Sequence, residues 1–439
     1  MEEETKTSAL AVLASPSPNI PLEESLVTNE AFANTTLTNI FRFLNYKDLL
    51  NCSKVCPLWK QIAFQQTLWQ HFTFYSCHRH VKQLFKSEYG QNIRNLYLLG
   101  HTDSLEMENV KRLIISYCHF DELKLISEIN KEIKEFHVER LYLKNHEFEL
   151  IGQIENLIHV NISTGISDSD RHKIVSDVGL KKLTKLQHLG LYLGLYATCD
   201  ESFWENIVKM STLKSLQLTA SFYQEAPDPS WVAPLFGPKF LISNLQLLNK
   251  LEIHSMTYIH EYDVLKKIKL LANLKELVLD EVSVSKNGRS NFGSLLGQCQ
   301  NLERLTISLT IPRDESPDIH DIEEILYIAA LENSEIVKGV LSLNKTLKHF
   351  CWFLEYHEAL DFITIYSRHK KDAVAFHSFR VITKNQVRTY VDTRGPGYIT
   401  VPKLSKIFKK MLPDTQVEIW TPDESCNVYK HKRCYECYK

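Results

Sequence analysis

The first ordered part of the chain is predicted from apolar residues at helical spacing. One helix face is formed by positions i, i+3, i+4 and i+7, which are Leu37, Ile40, Phe41 and Leu44. Asn45 can cap a second helix, and Pro57 fits the first turn of a third. Three short helices within about 45 residues bury little apolar surface. They therefore either cap the neighbouring part of the fold or bind a partner, and the pattern favours neither.

A second pattern begins at residue 93, where the phrase apolar-x-x-apolar-x-apolar recurs along the chain. Successive starts are mostly about 26 to 29 residues apart, a length that suits a leucine-rich repeat. The phrases are IRNLYL (93–98), VKRLII (110–115), VERLYL (138–143), LIHVNI (157–162), LQHLGL (186–191), LKSLQL (213–218), LNKLEI (248–253), LKELVL (274–279), LERLTI (302–307) and LKHFCW (347–352), with a weaker FHSFRV (376–381).

Each phrase alternates apolar and polar residues as a short strand requires, and the segments between phrases, such as 263–272, have helical periodicity. A strand-plus-helix unit cannot bury its apolar face alone, so stacked units form one curved solenoid. We therefore expect an α/β fold in which a small three-helix module precedes a curved solenoid of about 10 to 12 irregular repeats. A last strand is expected at 416–420.

Composition narrows the class of partner. Lys and Arg number 51 against 53 Asp and Glu, so no excess of positive charge attracts nucleic acid or an anionic membrane. No apolar run reaches the length of about 18 residues that a membrane-spanning helix needs. The cysteines lie partly inside apolar runs, which is typical of small buried side chains in a reducing compartment. We expect a protein of the cytoplasm, the nucleus or both that binds neither nucleic acid nor membrane.

The order of side chains in the helical segment resembles an F-box. The matching residues are Leu37, Ile40, Phe41, Leu44, Asp48, Leu49, Leu50, Ser53, Val55, Cys56, Trp59, Leu68 and Trp69. F-box modules dock the Skp-type adaptor of cullin-RING ubiquitin ligases through a shared hydrophobic interface. The resemblance implies that the adaptor is bound by Leu37, Ile40, Leu44, Leu49, Leu50, Val55, Trp59, Leu68 and Trp69.

With repeats behind this segment, the chain resembles the F-box and leucine-rich-repeat class of ubiquitin-ligase substrate receptors. The resemblance implies an F-box at 29–75 and a leucine-rich-repeat solenoid at 76–420. From their composition, we expect a disordered tail at 1–28 and a Cys/Lys-rich tail at 421–439. The resemblance also implies that the F-box docks the adaptor and the cullin-RING core while the repeats hold the protein to be ubiquitinated.

Two other interpretations stay open. One is a non-ligase scaffold whose F-box is a structural cap, because residues 32–35 lack the Leu-Pro opening that is usual in the family. The other is a concave face that holds a small molecule or an inositol phosphate, which would need several basic side chains from different repeats to converge.

Residues between the buried strand positions of a solenoid face solvent and form its recognition surface. An acidic or phosphorylated peptide is a candidate ligand, because aromatic rings and guanidinium groups occur together near the first repeats. Trp231 lies in a segment rich in proline and aromatic residues, 222–240, which is either a binding loop or packing. The candidate substrate-binding residues are Tyr97, Arg112, Arg140, Tyr142, His188 and Trp231.

The motifs of catalysis are missing from the sequence. We find no phosphate-binding glycine loop, nucleophile elbow, metal-binding helix or dinucleotide fingerprint, so we expect neither enzyme activity nor a cofactor. Near the C-terminus, a weak zinc candidate is formed by Cys426, His431, Cys434 and Cys437. Structural zinc sites usually draw their ligand pairs from more widely separated segments, so reduced thiols are the expected state.

Overall fold

The computed structural model describes residues 34–70, 72–75, 90–98, 109–116, 118, 120–142, 147–165, 173–175, 179–193, 197–199, 201–220, 245–254, 264–283, 292–310, 335–343, 345–353, 365–368, 378–382, 386–390 and 396–420. The chain divides into two compact units, Met1–Leu96 and Tyr97–Lys439. Trp231, the expected tail at 1–28 and the cysteine-rich segment at 421–439 lie outside the described residues. Among those that are described, no helix combines the length and apolar character that crossing a bilayer requires.

The first unit begins with short helices, as the apolar spacing predicts. A helix at 34–41 is followed by α1 (Tyr46–Cys52), α2 (Pro57–Ala63) and α3 (Gln66–Trp69). Strand β1 (Thr73–Tyr75), a 3-10 turn (Gly90–Asn92) and the start of β2 (Asn95–Leu98) complete the described part of this unit.

The starts of two helices and one buried tryptophan fix the arrangement of these helices. The Asn45 side chain accepts hydrogen bonds from the backbone N–H groups of Lys47 and Asp48, which confirms the predicted cap of α1. Pro57 begins α2, also as predicted. Trp69 is fully buried, and its indole N–H donates to the Ala63 carbonyl at 2.7 Å. A single side chain thus anchors α3 to the end of α2.

The second unit is built on parallel strands in one sheet. After β2, their bounds are β3 (Arg112–Ile115), β4 (Glu135–Tyr142), β5 (His159–Gly165), β7 (His188–Leu193), β9 (Ser215–Ala220), β10 (Lys250–His254), β11 (Glu276–Ser283), β12 (Arg304–Thr310), β13 (His349–Phe353), β14 (Ser378–Ile382) and β17 (Gln416–Trp420). Neighbours in this series are also neighbours in the sheet. Two small pairs stand apart from it: parallel β6 (Lys173–Val175) with β8 (Ala197–Cys199), and antiparallel β15 (Gln386–Tyr390) with β16 (Pro396–Thr400).

The strand register follows the repeated phrase, with one correction. Leu216, Leu251 and Leu277 are partners on β9, β10 and β11, and each is buried. On β4, however, the partner of Leu113 is Phe136, so the phrase there is IKEFHV (133–138) and the prediction of VERLYL (138–143) is wrong. The expected last strand at 416–420 is confirmed, because β17 pairs in parallel with β14.

Helical segments lie between the strands along the chain. They are α4 (Phe120–Ile129), α5 (Glu147–Gly152), a 3-10 turn (Leu180–Lys182), α6 (Glu201–Val208), α7 (Val264–Ile268), helices at 292–296, 335–342 and 365–368, and α8 (Val401–Met411). Their apolar residues are buried with those of the strands, as Phe408 of α8 shows by meeting Phe379 of β14 edge-on at 5.3 Å. The core thus lies between the helical segments and one face of the sheet.

The turns before the strands carry a hydrogen-bonded ladder that the sequence analysis did not identify. The residue just before the first apolar position of a phrase is often Asn or Thr, and its side chain donates to a backbone carbonyl of the preceding turn. Asn156 bonds Lys131 O at 2.9 Å, Asn273 bonds Gln246 O at 2.6 Å, Asn301 bonds Ala272 O at 2.5 Å and Thr212 bonds Thr184 O at 3.3 Å. Each rung ties a turn to its neighbour, so the ladder fixes the spacing of successive repeats.

Close packing of two helices explains why positions 293 and 339 are occupied by glycine. A Cβ on Gly293 would meet the backbone of Glu335, and a Cβ on Gly339 would meet the backbone of Gly293. A Cβ on the nearby Gly297 would meet mainly the Ser342 hydroxyl, which can rotate away. The two helices at 292–296 and 335–342 can therefore approach only because Gly293 and Gly339 have no side chains.

Gly293→Ala is expected to lower the free energy of unfolding by about 1–3 kcal/mol, because the added methyl group forces two backbones apart. Gly297→Ala is the matched control and should leave the urea midpoint nearly unchanged. Equal midpoints for the two variants would contradict the close-packing explanation.

Candidate functional site

An apolar surface lies at the ends of the first helices. Three large apolar side chains there are exposed to solvent: Phe43 is 90%, Val55 is 62% and Ile40 is 52% exposed. Phe43 lies in the turn after the helix at 34–41, and Val55 lies in the turn between α1 and α2. Short connections at these turns leave no chain to cover them within the described residues. We use the name exposed apolar patch for Ile40, Phe43 and Val55 taken together, which lie in or next to the turns on either side of α1.

The remaining predicted adaptor-binding residues fall into two groups. Leu37, Leu44, Leu50 and Trp59 are half-buried, so each keeps part of its side chain available at the surface. Leu49, Leu68 and Trp69 are at most 3% exposed, and we assign them to the core of the helical unit. Trp59 also packs against the core, because its ring meets the buried Phe41 edge-on at 5.3 Å.

Phe43 is absent from the sequence-based set because it lies off the i, i+3, i+4, i+7 face. Its signal is that it is a large apolar residue between two helix patterns, where a turn residue is usually polar. The structure therefore adds to the candidate surface its most exposed aromatic side chain.

The comparisons with known proteins bear on this segment directly. Residues 34–75 match the family model described as F-box-like. The segment is an F-box-like domain. A comparison with curated protein sequences found no match to the chain.

Two solved structures are similar to this chain, one of an internalin and one of a leucine-rich-repeat ectodomain. One is an internalin (inlF) from Listeria monocytogenes, which is 17% identical with a TM-score of 0.34 and covers 60% of this chain. The other is the leucine-rich-repeat ectodomain of the plant receptor kinase GASSHO1/SCHENGEN3 from Arabidopsis thaliana, which is 12% identical with a TM-score of 0.21 and covers 76% of this chain. This chain spans 62% and 51% of those two chains, respectively. After the F-box-like domain, parallel strands recur with the phrase apolar-x-x-apolar-x-apolar, the pattern that leucine-rich repeats have.

The outward-facing side chains of these strands form a second candidate surface, which is dominated by ion pairs. Arg112 pairs with Glu135 at 3.2 Å, and Lys250 bridges Glu252 at 2.7 Å and Glu276 at 2.8 Å. Just before β11, β12 and β13 begin, Glu303 is held by Lys275 and Lys348. Further along the sheet, Arg380 of β14 pairs with Glu418 of β17. Each of these basic groups is paired with a carboxylate, and the Lys275–Glu303–Lys348 group keeps one net positive charge. One unit of charge is less than the several converging basic side chains that an inositol phosphate requires.

The predicted substrate-binding residues are only partly brought together. Tyr97 is half-buried, and its hydroxyl hydrogen-bonds Ser116 and Glu139 at 2.8 Å each. Arg112 lies on the neighbouring strand. Arg140 and Tyr142 belong to the end of β4, after the irregularity in its pairing, and their side chains lie outside the described residues. With the corrected register, these two residues no longer align with the outward-facing positions of the neighbouring strands.

Glu135 and His137 occupy the aligned outward-facing positions of β4 instead, and neither was among the residues predicted from the sequence. His137, His159 and the predicted His188 then form a row of imidazoles, with ring centroids 4.8 Å and 5.1 Å apart. The spacing of the phrases could have identified them. If the phrase starts at Ile133, its distance in sequence from Val110 nearly equals its distance to Leu157. Burial, the neighbouring His159 and Arg112 together lower the pKa of His137 to about 3, so its ring is neutral at physiological pH.

A third group, centred on His254, has the opposite electrostatics. Its ring nitrogens lie 3.2 Å from Asp280 Oδ2 and 3.0 Å from Glu252 Oε2. Burial lowers the pKa of His254, but the hydrogen bonds to these two carboxylates outweigh burial and raise the pKa to about 9. His254 is therefore a cation at neutral pH and joins β10 to β11 as part of the paired surface.

The His254 group predicts a specific pH dependence of stability. Because its folded pKa of about 9 exceeds its ordinary value of 6.5, its contribution is fully present below pH 6.5 and is lost as pH rises through about 9. His254→Gln should flatten the fall in the free energy of unfolding over that range, measured by urea titration at several pH values. His188→Gln should keep the fall, and an unchanged fall in His254→Gln would contradict the assignment.

Proposed function

We propose that this protein is the substrate-recognition subunit of a Skp–cullin–F-box type ubiquitin ligase. In this proposal the F-box-like domain docks a Skp-type adaptor, and the leucine-rich repeats hold the protein to be ubiquitinated. The observation that carries the proposal is the exposed apolar patch on the domain that matches the F-box-like family model.

The patch supports docking on energetic grounds. Burying apolar surface stabilises a complex by roughly 25 cal/mol per Å², and Phe43, at 90% exposed, has nearly all of its side chain left to bury. A partner that covers Phe43 would also reach the half-buried Leu44 next to it in sequence. Aromatic anchors surrounded by partly buried apolar residues are typical of the centre of a protein interface.

The strand surface supports recognition of a protein and not of a single small ligand. Its charged side chains form ion pairs at separate places along the sheet, from Arg112 with Glu135 to Arg380 with Glu418. Such a surface selects a partner whose charges are complementary along the same length. The chemistry of ubiquitin transfer would belong to the ligase core, and this chain would accelerate it by keeping the target lysine close to the charged conjugating enzyme.

Substitutions in the exposed apolar patch are expected to weaken adaptor binding. Phe43→Asp, and separately the pair Ile40→Asp with Val55→Asp, should each raise the Kd for a purified Skp-type adaptor by about tenfold or more, because a charge is then placed where apolar surface must be buried. Isothermal titration calorimetry with the full chain measures the effect, and circular dichroism checks that the variants fold.

Leu247→Asp is the matched control, because Leu247 is 51% exposed but lies in the repeats. Its Kd should equal that of the unmodified chain. If Phe43→Asp binds the adaptor as tightly as Leu247→Asp does, the docking proposal fails. If the adaptor binds but the reconstituted complex transfers no ubiquitin to proteins captured by the repeats, the protein is a scaffold and not a ligase receptor.

A further inference from the structure

Three side chains with metal-binding atoms converge on the outward face of the sheet near its start. In the part of the chain that the structure describes, Glu135, His137 and His159 are the one group of three such residues whose ligand atoms lie close together, all within 4.8 Å of one another. The F-box-like domain contributes nothing to this group, so metal binding by these residues is independent of the proposed function.

The sheet itself places the three donors. Glu135 and His137 are two residues apart on β4 and therefore share a face, while His159 on β5 is the direct partner of Glu135. The backbone beneath them is fixed, because Glu135 N donates to Lys111 O at 3.0 Å and His159 N donates to Lys134 O at 3.0 Å. Ligand positions on paired strands are held more precisely than positions on loops.

One of the two ring nitrogens of His137 lacks a hydrogen-bond partner in the described part of the chain. His137 Nε2 is buried and has no hydrogen-bond partner among the described residues. A buried polar atom without a partner costs free energy, and a metal ion would supply the partner.

We propose that Glu135, His137 and His159 bind a divalent transition-metal ion of the Zn²⁺ type, each through one atom. Two imidazole nitrogens and one carboxylate oxygen are a donor set that such ions prefer to Mg²⁺ or Ca²⁺. Three protein ligands leave a further coordination position, which is available to water or to a donor atom of a bound protein.

Arg112 is the side chain that opposes this site. Its Nε lies 3.2 Å from Glu135 Oε2, and its positive charge lowers the pKa of both His137 and His159. A bound cation would have to share Glu135 with Arg112 and accept its repulsion. Removing the charge with Arg112→Gln should therefore tighten metal binding, whereas loss of a purely structural ion pair would not.

The probe is Co²⁺, whose visible absorption reports coordination, and Zn²⁺ then displaces it. The full chain is used in a background of Cys426→Ser, Cys434→Ser and Cys437→Ser, so that the tail thiols cannot contribute. We expect one Co²⁺ per chain, with no thiolate-to-metal charge-transfer band. The double variant His137→Ala with His159→Ala should lose this site, and Glu135→Gln should bind at least about tenfold more weakly.

His349→Ala is the matched control, because His349 occupies on β13 the phrase position that His159 occupies on β5. It should bind Co²⁺ like the unmodified chain. The proposal is overturned if the double variant retains the site, if His349→Ala loses it equally, or if no Co²⁺ binds. If the double variant fails to fold, Glu135→Gln becomes the deciding variant, because it preserves the shape of the side chain and removes one charge. Glu135 is rejected as a ligand if Glu135→Gln binds Co²⁺ as tightly as the unmodified chain. It is also rejected if Arg112→Gln does not tighten binding.

Discussion

The lateral pairing of parallel strands is the interaction on which the repeat unit depends. A single strand-plus-helix repeat cannot enclose its own leucines, and it becomes stable only when neighbours on both sides bury them. The cross-strand row of Leu216, Leu251 and Leu277 is the direct expression of this dependence. The ladder of Asn and Thr side chains in the turns adds hydrogen bonds in the same direction, so apolar burial and polar pairing specify the same spacing.

Pairing in this manner separates the two faces of the sheet. Every second side chain is committed to the core, and the alternate ones are left at the surface in rows that cross the strands. Those rows hold oppositely charged neighbours, such as Lys250 between Glu252 and Glu276. A partner that binds there must compensate for desolvating these pairs, so the surface favours complementary proteins over indiscriminate ones.

The fold was largely predictable because its signals are periodic. Leucines at fixed spacing predicted the strands, and Asn45 and Pro57 predicted where helices begin, because capping depends on residues close in sequence. The error at β4 arose because Leu141 and Leu143 imitate the phrase five residues after Phe136 and Val138; periodicity alone cannot choose between two overlapping matches. The choice is made by pairing with β3, a contact that no local pattern contains.

The candidate sites were less predictable for the same reason. Sequence matching selected Leu49, Leu68 and Trp69, which are buried, together with Ile40 and Val55, which are exposed. It did not select Phe43, the most exposed of the large apolar side chains in this segment. That division depends on how the helices pack. In the same way, Glu135 lies beside His159 only because their strands pair. The chain therefore has a predictable architecture whose functional surfaces are determined by its tertiary contacts.

We propose that residues 34–60 of the F-box-like domain, and not the repeats, form the surface that a Skp-type adaptor covers. Hydrogen–deuterium exchange of the full chain, measured with and without a saturating Skp-type adaptor, locates that surface. Exchange should slow in peptides from the turns around Phe43 and Val55 and should stay unchanged in peptides from β9 to β12. Slower exchange confined to the repeats, or none anywhere, would contradict it.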